Sequence, residues 1–140
     1  MIIKYTYGLL LLVGLMFSVH SNGQTNFTTT GDWSNASNWS AGIPDSTDNV
    51  SINFGQTATA DTDGECLALS QFFSSLVIDA GATLRVHGMY SASTTANANT
   101  NNGTLILKGG LKPAVGTQVL TIGGAVIFEG GVTFPNFTIE

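Results

Sequence analysis

Three stretches decide the fold: Leu84-Arg85-Val86-His87-Gly88, Leu105-Ile106-Leu107-Lys108-Gly109 and Val126-Ile127-Phe128-Glu129-Gly130 repeat one pattern at a spacing of 21 residues, twice in succession. The register extends to both sides. Ala82, Gly103 and Gly124 fill one column before the pattern, and Tyr90, Leu111 and Val132 fill another, two places after its glycine. A fixed period near 20 that carries one strand at a matching phase is what the stacked coils of a solenoid require. Within each copy the residues alternate as a strand does. Positions 84/86, 105/107 and 126/128 are apolar and face a coil interior, whereas His87, Lys108 and Glu129 face water. Parallel stacking at about 4.8 Å turns these three into a surface ladder with a lysine beside a glutamate. Such an exposed pair contributes on the order of a few tenths of a kcal/mol, so it checks the register and adds little stability. Gly88, Gly109 and Gly130 fit corners where the chain turns out of one sheet, since glycine tolerates φ > 0 without strain. The alternative architecture is an antiparallel sandwich with evenly spaced hairpins.

Composition agrees with an all-β chain. Only 9% of the 140 residues are charged, against about a quarter in globular proteins, so polarity comes from 18 Thr, 12 Ser and 11 Asn, with 17 Gly between them. These residues suit strands and turns and are poor helix formers. A net charge of −5 excludes a basic nucleic-acid groove and a polybasic membrane surface. One Cys and two His give no basis for a disulfide framework, a metal cage or haem attachment.

Met1 to Gly8 carries Lys4 as its only charge, and Leu9 to Val19 is an unbroken run of apolar and small residues. This is the layout of a secretory signal peptide, and the run is too short for the roughly 20 residues of a membrane span. Ser21-Asn22-Gly23 places small residues before a cut at Gln24. The expected organisation is a signal-peptide helix over 1–23, a cap segment over 24–48 and solenoid coils over 49–140, with the 21-residue period clearest in 82–134. No membrane span remains once the signal is removed. The chain stops within an apparent strand at Phe137-Thr138-Ile139-Glu140, which reads as the front of a longer protein whose open edge invites pairing with another chain.

A second strand per coil is visible in Ser75-Leu76-Val77-Ile78 and Val119-Leu120-Thr121-Ile122. The middle copy is replaced by Ala96-Asn97-Ala98-Asn99-Thr100-Asn101-Asn102. That tract is a looped-out insertion or a strand with an Asn-lined inner face, and the loop is the expectation.

The segment from Gly31 to Ile52 carries a family resemblance. Trp33-Ser34-Asn35-Ala36-Ser37-Asn38-Trp39, then Gly42-Ile43-Pro44, then Asp48-Asn49-Val50-Ser51-Ile52 resembles the opening of large secreted surface proteins of the Bacteroidetes, and of autotransporter-like and G8-like β-helix modules. Val132-Thr133-Phe134-Pro135-Asn136-Phe137-Thr138-Ile139 is similar to their coil endings. The resemblance implies a right-handed parallel β-helix with an amino-terminal cap, exported through the type IX secretion system and serving as an adhesin or matrix component.

Chemistry-bearing groups are sparse. Trp33 and Trp39 read as a seal over the apolar end of the first coil or as a stacking platform for sugar rings, and the seal is the expectation. Asp61-Thr62-Asp63-Gly64-Glu65 gathers three carboxylates, a weak Ca²⁺ candidate at Asp61, Asp63 and Glu65 that lacks the remaining ligands of a calcium loop. Asp45 and Asp48 flank a turn and cap backbone N–H groups. Arg85, His87 and Lys108, with Glu129 as the only acidic partner, form the best catalytic triangle available and read as a solvated face. Cys66 is a lone thiol beside Leu67 and Leu69 and reads as a small buried residue. No catalytic residue and no cofactor are assigned. The expected function is an exported, non-catalytic solenoid segment of a cell-surface or matrix adhesin that contacts glycans or other surface proteins. The alternatives are the amino-terminal part of a β-helix carbohydrate-active enzyme and a carbohydrate-binding sandwich using the two tryptophans.

Overall fold

The computed structural model describes residues 23–93, 99–113, 118–129 and 137–139. The expected signal segment therefore lies outside the described residues, apart from Gly23. An incomplete first turn holds β1 (Gln24–Phe27), β2 (Gly31–Asp32) and a 3-10 turn at Ala36–Asn38. Four coils of three short strands follow. They are β3 (Asn49–Ile52), β4 (Thr57–Ala60) and β5 (Gly64–Cys66), then β6 (Ala68–Phe72), β7 (Ser75–Ile78) and β8 (Thr83–Val86). The third coil is β9 (Tyr90–Ser93), β10 (Asn99–Asn101) and β11 (Thr104–Leu107). The fourth is β12 (Leu111–Pro113), β13 (Gln118–Ile122) and β14 (Ala125–Phe128), after which β15 (Phe137–Ile139) pairs with β13.

Each coil gives one strand to each of three sheets. The first sheet runs β1-β3-β6-β9-β12, the second β2-β4-β7-β10-β13-β15 and the third β5-β8-β11-β14. Every ladder between named strands is parallel, which removes the antiparallel sandwich and leaves a β-solenoid of about four turns. The 21-residue spacing is a physical register: Leu105 lies opposite Leu84 on one side and Val126 on the other, and Leu111 lies opposite Tyr90. Earlier coils are shorter. Thr57 pairs with Ser75, 18 residues on, and Asn49 with Ala68, 19 residues on. The repeat is therefore legible only from the second coil onward.

Inward positions build one continuous core. Val50, Leu69, Tyr90 and Leu111 stack from the first sheet, Ala58 and Leu76 from the second, and Leu84 and Leu105 from the third, all nearly fully buried. The expectation of a loop at the Asn-rich tract is corrected: Asn99–Asn101 is β10, with Asn99 and Asn101 buried inside the coil. Its register hid it, because Val77 pairs with Thr100 at a separation of 23 whereas the flanking strands keep 21.

The glycine columns also differ from expectation. Neither Gly88 nor Gly109 has a positive φ. Their requirement is close stacking, since a Cβ on Gly109 would lie 2.4 Å from the carbonyl carbon of Gly88 and one on Gly88 would lie 2.8 Å from the Leu67 carbonyl oxygen. Gly130 lies outside the described residues.

The segment expected as a cap, 24–48, contributes β1 and β2 to the sheets before it folds back. Thr28 donates to the Asn38 carbonyl at 2.8 Å and Ser40 to the Asn26 carbonyl at 2.9 Å, and Phe27 bridges Trp39 in antiparallel sense. The outer edge of β1 is thereby paired, which blunts a template for edge-to-edge association. Trp33 and Trp39 are 1% and 5% exposed. They meet edge to face at 4.7 Å, and Phe27 meets Trp39 in the same manner at 4.8 Å. The Trp39 indole N–H donates to the Trp33 carbonyl at 2.8 Å, and Gly64 leaves room for the Trp33 ring, which a Cβ there would approach to 2.9 Å.

Candidate functional site

Among the described residues the third sheet has no strand in the first, incomplete turn, and β5 is its edge. The chain instead passes through a turn at 42–48. Gly42 takes φ +92°, the Asp45 carboxylate accepts from the Thr47 amide at 2.8 Å, and Asp48 accepts from the Asp45 amide at 3.1 Å. Asp45 and Asp48 therefore cap the local backbone. This turn sets Ile43 and Pro44 as a wall beside the outer face of the third sheet and encloses a groove of about 490 Å³. Its floor holds two outward columns spanning three coils, Asp63-Thr83-Thr104 and Glu65-Arg85-Ile106.

The ionic groups around this groove engage one another. Arg85 Nη1 lies 3.2 Å and Lys108 Nζ 3.4 Å from Glu129 Oε2, and His87 Nε2 lies 2.9 Å from Glu65 Oε2. Arg85 reaches Glu129 past Ile106, which sits between Arg85 and Ile127 in the column and is buried although it points outward. The expected Lys108–Glu129 neighbour contact is present, and Arg85 joins it. All of these groups are partly exposed, so the network contributes little stability. Both carboxylates, Glu65 and Glu129, are engaged by protein partners.

The three carboxylates of the calcium candidate point to three different partners. Asp61 accepts from the Ser34 hydroxyl at 2.6 Å and the Ser34 amide at 3.1 Å, Asp63 from the Thr83 amide at 2.8 Å, and Glu65 faces His87. Slight burial pulls the Asp61 carboxyl upward, but the bonds from Ser34, together with the backbone of Asp61 and Trp33, outweigh it and leave it below the ordinary value. Among the described residues no group of three His, Cys, Asp or Glu could hold a metal ion, which corrects the Ca²⁺ candidate. The reason is local: Glu65 is already on a strand and Asp61 still belongs to the preceding corner.

Trp33 and Trp39 offer no ring face to a ligand, because both are buried against each other and Phe27. That corrects the platform alternative. Cys66 is fully buried, and burial followed by the Glu65 charge pushes its thiol up to about 12, so it is a packing residue and not a nucleophile.

Sequence reading missed two features. Inside the coils, Gln71, Tyr90 and Asn99 form a buried hydrogen-bonded cluster. Outside, Phe54 and Phe72 are 69% and 58% exposed beside Phe73. The adjacent Phe72-Phe73 pair, and an aromatic two places past the buried Ile52, were the available signals. Comparisons of the chain with protein-family models, with curated proteins and with solved structures give no match.

Proposed function

We propose that this chain is a non-catalytic β-solenoid module of an exported cell-surface or extracellular-matrix protein, acting as a stalk or adhesive segment. The observation that carries the reading is the repetition of small neutral groups along the outer faces. Asn26, Ser51, Ser70 and Ser91 occupy one column of the first sheet, one residue per coil, and Thr83 and Thr104 one column of the third. Such an array offers many weak contacts at a fixed interval, so affinity comes from multiplicity over a long face. The mutual pairing of Arg85, Lys108 and Glu129 and of His87 and Glu65 supports a contact face over an acid–base centre. The partners that suit it are glycans and other surface proteins.

Protease treatment of intact native cells tests the reading, with an epitope placed in the exposed Gly55 turn of the full chain. Loss of the epitope from intact cells, or its recovery in the medium, is expected. Protection until the cells are lysed would overturn it.

A further inference from the structure

We propose that the corner between the first and second sheets, carrying Phe54, Phe72 and Phe73, is a binding site for a neutral saccharide. This rests on the adhesive reading above and gives it a contact point away from the buried tryptophans. Phe54 and Phe72 are the two most exposed large apolar side chains among the described residues, at 69% and 58%. Phe73 lies between them: its ring centroid is 4.8 Å from that of Phe72, at right angles, and 5.8 Å from that of Phe54. Two aromatic rings in water beside a third that is half-buried are a cost unless something covers them.

The corner is built to hold its shape. Phe73 has φ +48°, a left-handed conformation that a side chain adopts at a cost, and its carbonyl accepts from the Gly55 amide of the neighbouring coil at 2.9 Å. Ser75 donates to the Gln56 carbonyl at 2.9 Å, and from inside the coil Gln71 reaches the Ser74 carbonyl. The rings are thus presented on a backbone fixed from both sides, which lowers the ordering cost of binding.

The surroundings select the ligand class. No ionisable residue occurs in 49–60 or 67–78, so neither a charged peptide nor an anionic headgroup finds a counter-charge on these corner segments. The rim is amide and hydroxyl: Asn53 is exposed, and Gln56 accepts from the Thr30 hydroxyl at 3.0 Å while its own NH2 makes no bond among the described residues. A pyranose ring presents C–H bonds on its face and hydroxyls around its edge. Aromatic faces with a neutral amide rim complement both.

The test is affinity electrophoresis of the full chain through gels containing β-1,4-glucan, β-1,3-glucan, mannan or xylan, with polygalacturonate as the acidic comparison. Retardation by at least one neutral polymer is expected, with a tenfold or greater loss of affinity in Phe54→Ala and Phe72→Ala. Both side chains are mostly in solvent, so circular dichroism and the melting temperature stay unchanged. Phe73→Gly relieves the left-handed residue and removes the central ring, and is expected to weaken binding without loss of fold. Absence of retardation in every neutral gel, or retardation unaffected by the substitutions, would overturn the site. So would preference for polygalacturonate, or a concentration-dependent dimer in sedimentation that Phe54→Ala abolishes, since the patch would then cover a second copy. These outcomes leave the surface-exposure experiment untouched, so the two readings fail separately.

Discussion

The side-chain amides of Gln71 and Asn99 face each other inside the solenoid, each donating to the other's carbonyl oxygen at 3.0 Å. The pair joins two sheets and two successive coils, since Gln71 belongs to β6 and Asn99 to β10. Tyr90 extends it with a hydrogen bond from its hydroxyl to the Gln71 carbonyl oxygen, and the Leu76 amide donates to Asn99 at 2.9 Å. A network of this kind stabilises when every member is satisfied and costs heavily when one is removed.

Replacing Asn99 by Leu leaves the Leu76 N–H without its acceptor and the Gln71 NH2 with only the Ser74 carbonyl at 3.4 Å, and each buried polar group deprived of a partner costs about 1–3 kcal/mol. Urea unfolding of Asn99→Leu should therefore show a loss of about 3 kcal/mol, and Gln71→Leu a similar one. The double substitution should cost less than the two losses combined, because neither amide is then left behind. Strict additivity would mean that the two amides do not act as a pair.

Much of the architecture was legible because the physics is local and repeated. Leu84, Leu105 and Val126 alternate with outward residues at a constant interval, and the structure stacks them in that register. Asn99 was not legible, for two reasons. An inward asparagine breaks the alternation of polarity on which strand reading depends, and its satisfaction comes from Gln71, 28 residues away in the chain. The same limit applied at the surface. Ile106 points outward yet is buried, in a column between Arg85 and Ile127, and Arg85 bonds Glu129 from 44 residues away. The turn at 42–48 is readable from Gly42 and Pro44, but not that it leans over the third sheet to form a groove.

The glycine columns give a prediction that conformational freedom alone would not. A Cβ on Gly103 would lie 2.3 Å from the carbonyl oxygens of Ala82 and Asp79, and one on Gly124 2.0 Å from the Gly103 carbonyl oxygen. Backbone atoms cannot retreat as a flexible side chain can, so Gly103→Ala must displace a coil. A loss of about 3 kcal/mol or more is expected by thermal or urea unfolding, in the range of overpacked sites. Gly42→Ala is the control. It meets nothing within 4 Å and carries only the left-handed φ of +92°, so it should cost about 1 kcal/mol. Equal losses at the two sites would show that stacking distance is not what fixes the glycine column.

Cys66 supplies the pH dependence. Its thiol is buried on β5, opposite Val86 of the next coil, and burial, then the nearby Glu65 charge, raise it from 9.0 to about 12. Below pH 9 the thiol is protonated in both the native and the unfolded chain and has no effect on stability. Between about 9 and about 12 only the unfolded chain loses the proton, so the native state binds more protons and stability falls as pH rises. One such group gives a slope of at most about 1.4 kcal/mol per pH unit. Tyr90, fully buried, has its phenol raised from 10.0 by burial first and then by Cys66, and steepens the fall above pH 10. Urea midpoints should therefore decline from pH 9 to pH 11, and Cys66→Ala should flatten the first part of the decline. In the same window a thiol reagent should leave the native chain unmodified and label one thiol per chain in denaturant. Labelling of the native chain at the rate of a free thiol would place Cys66 in contact with solvent and remove the basis for the slope.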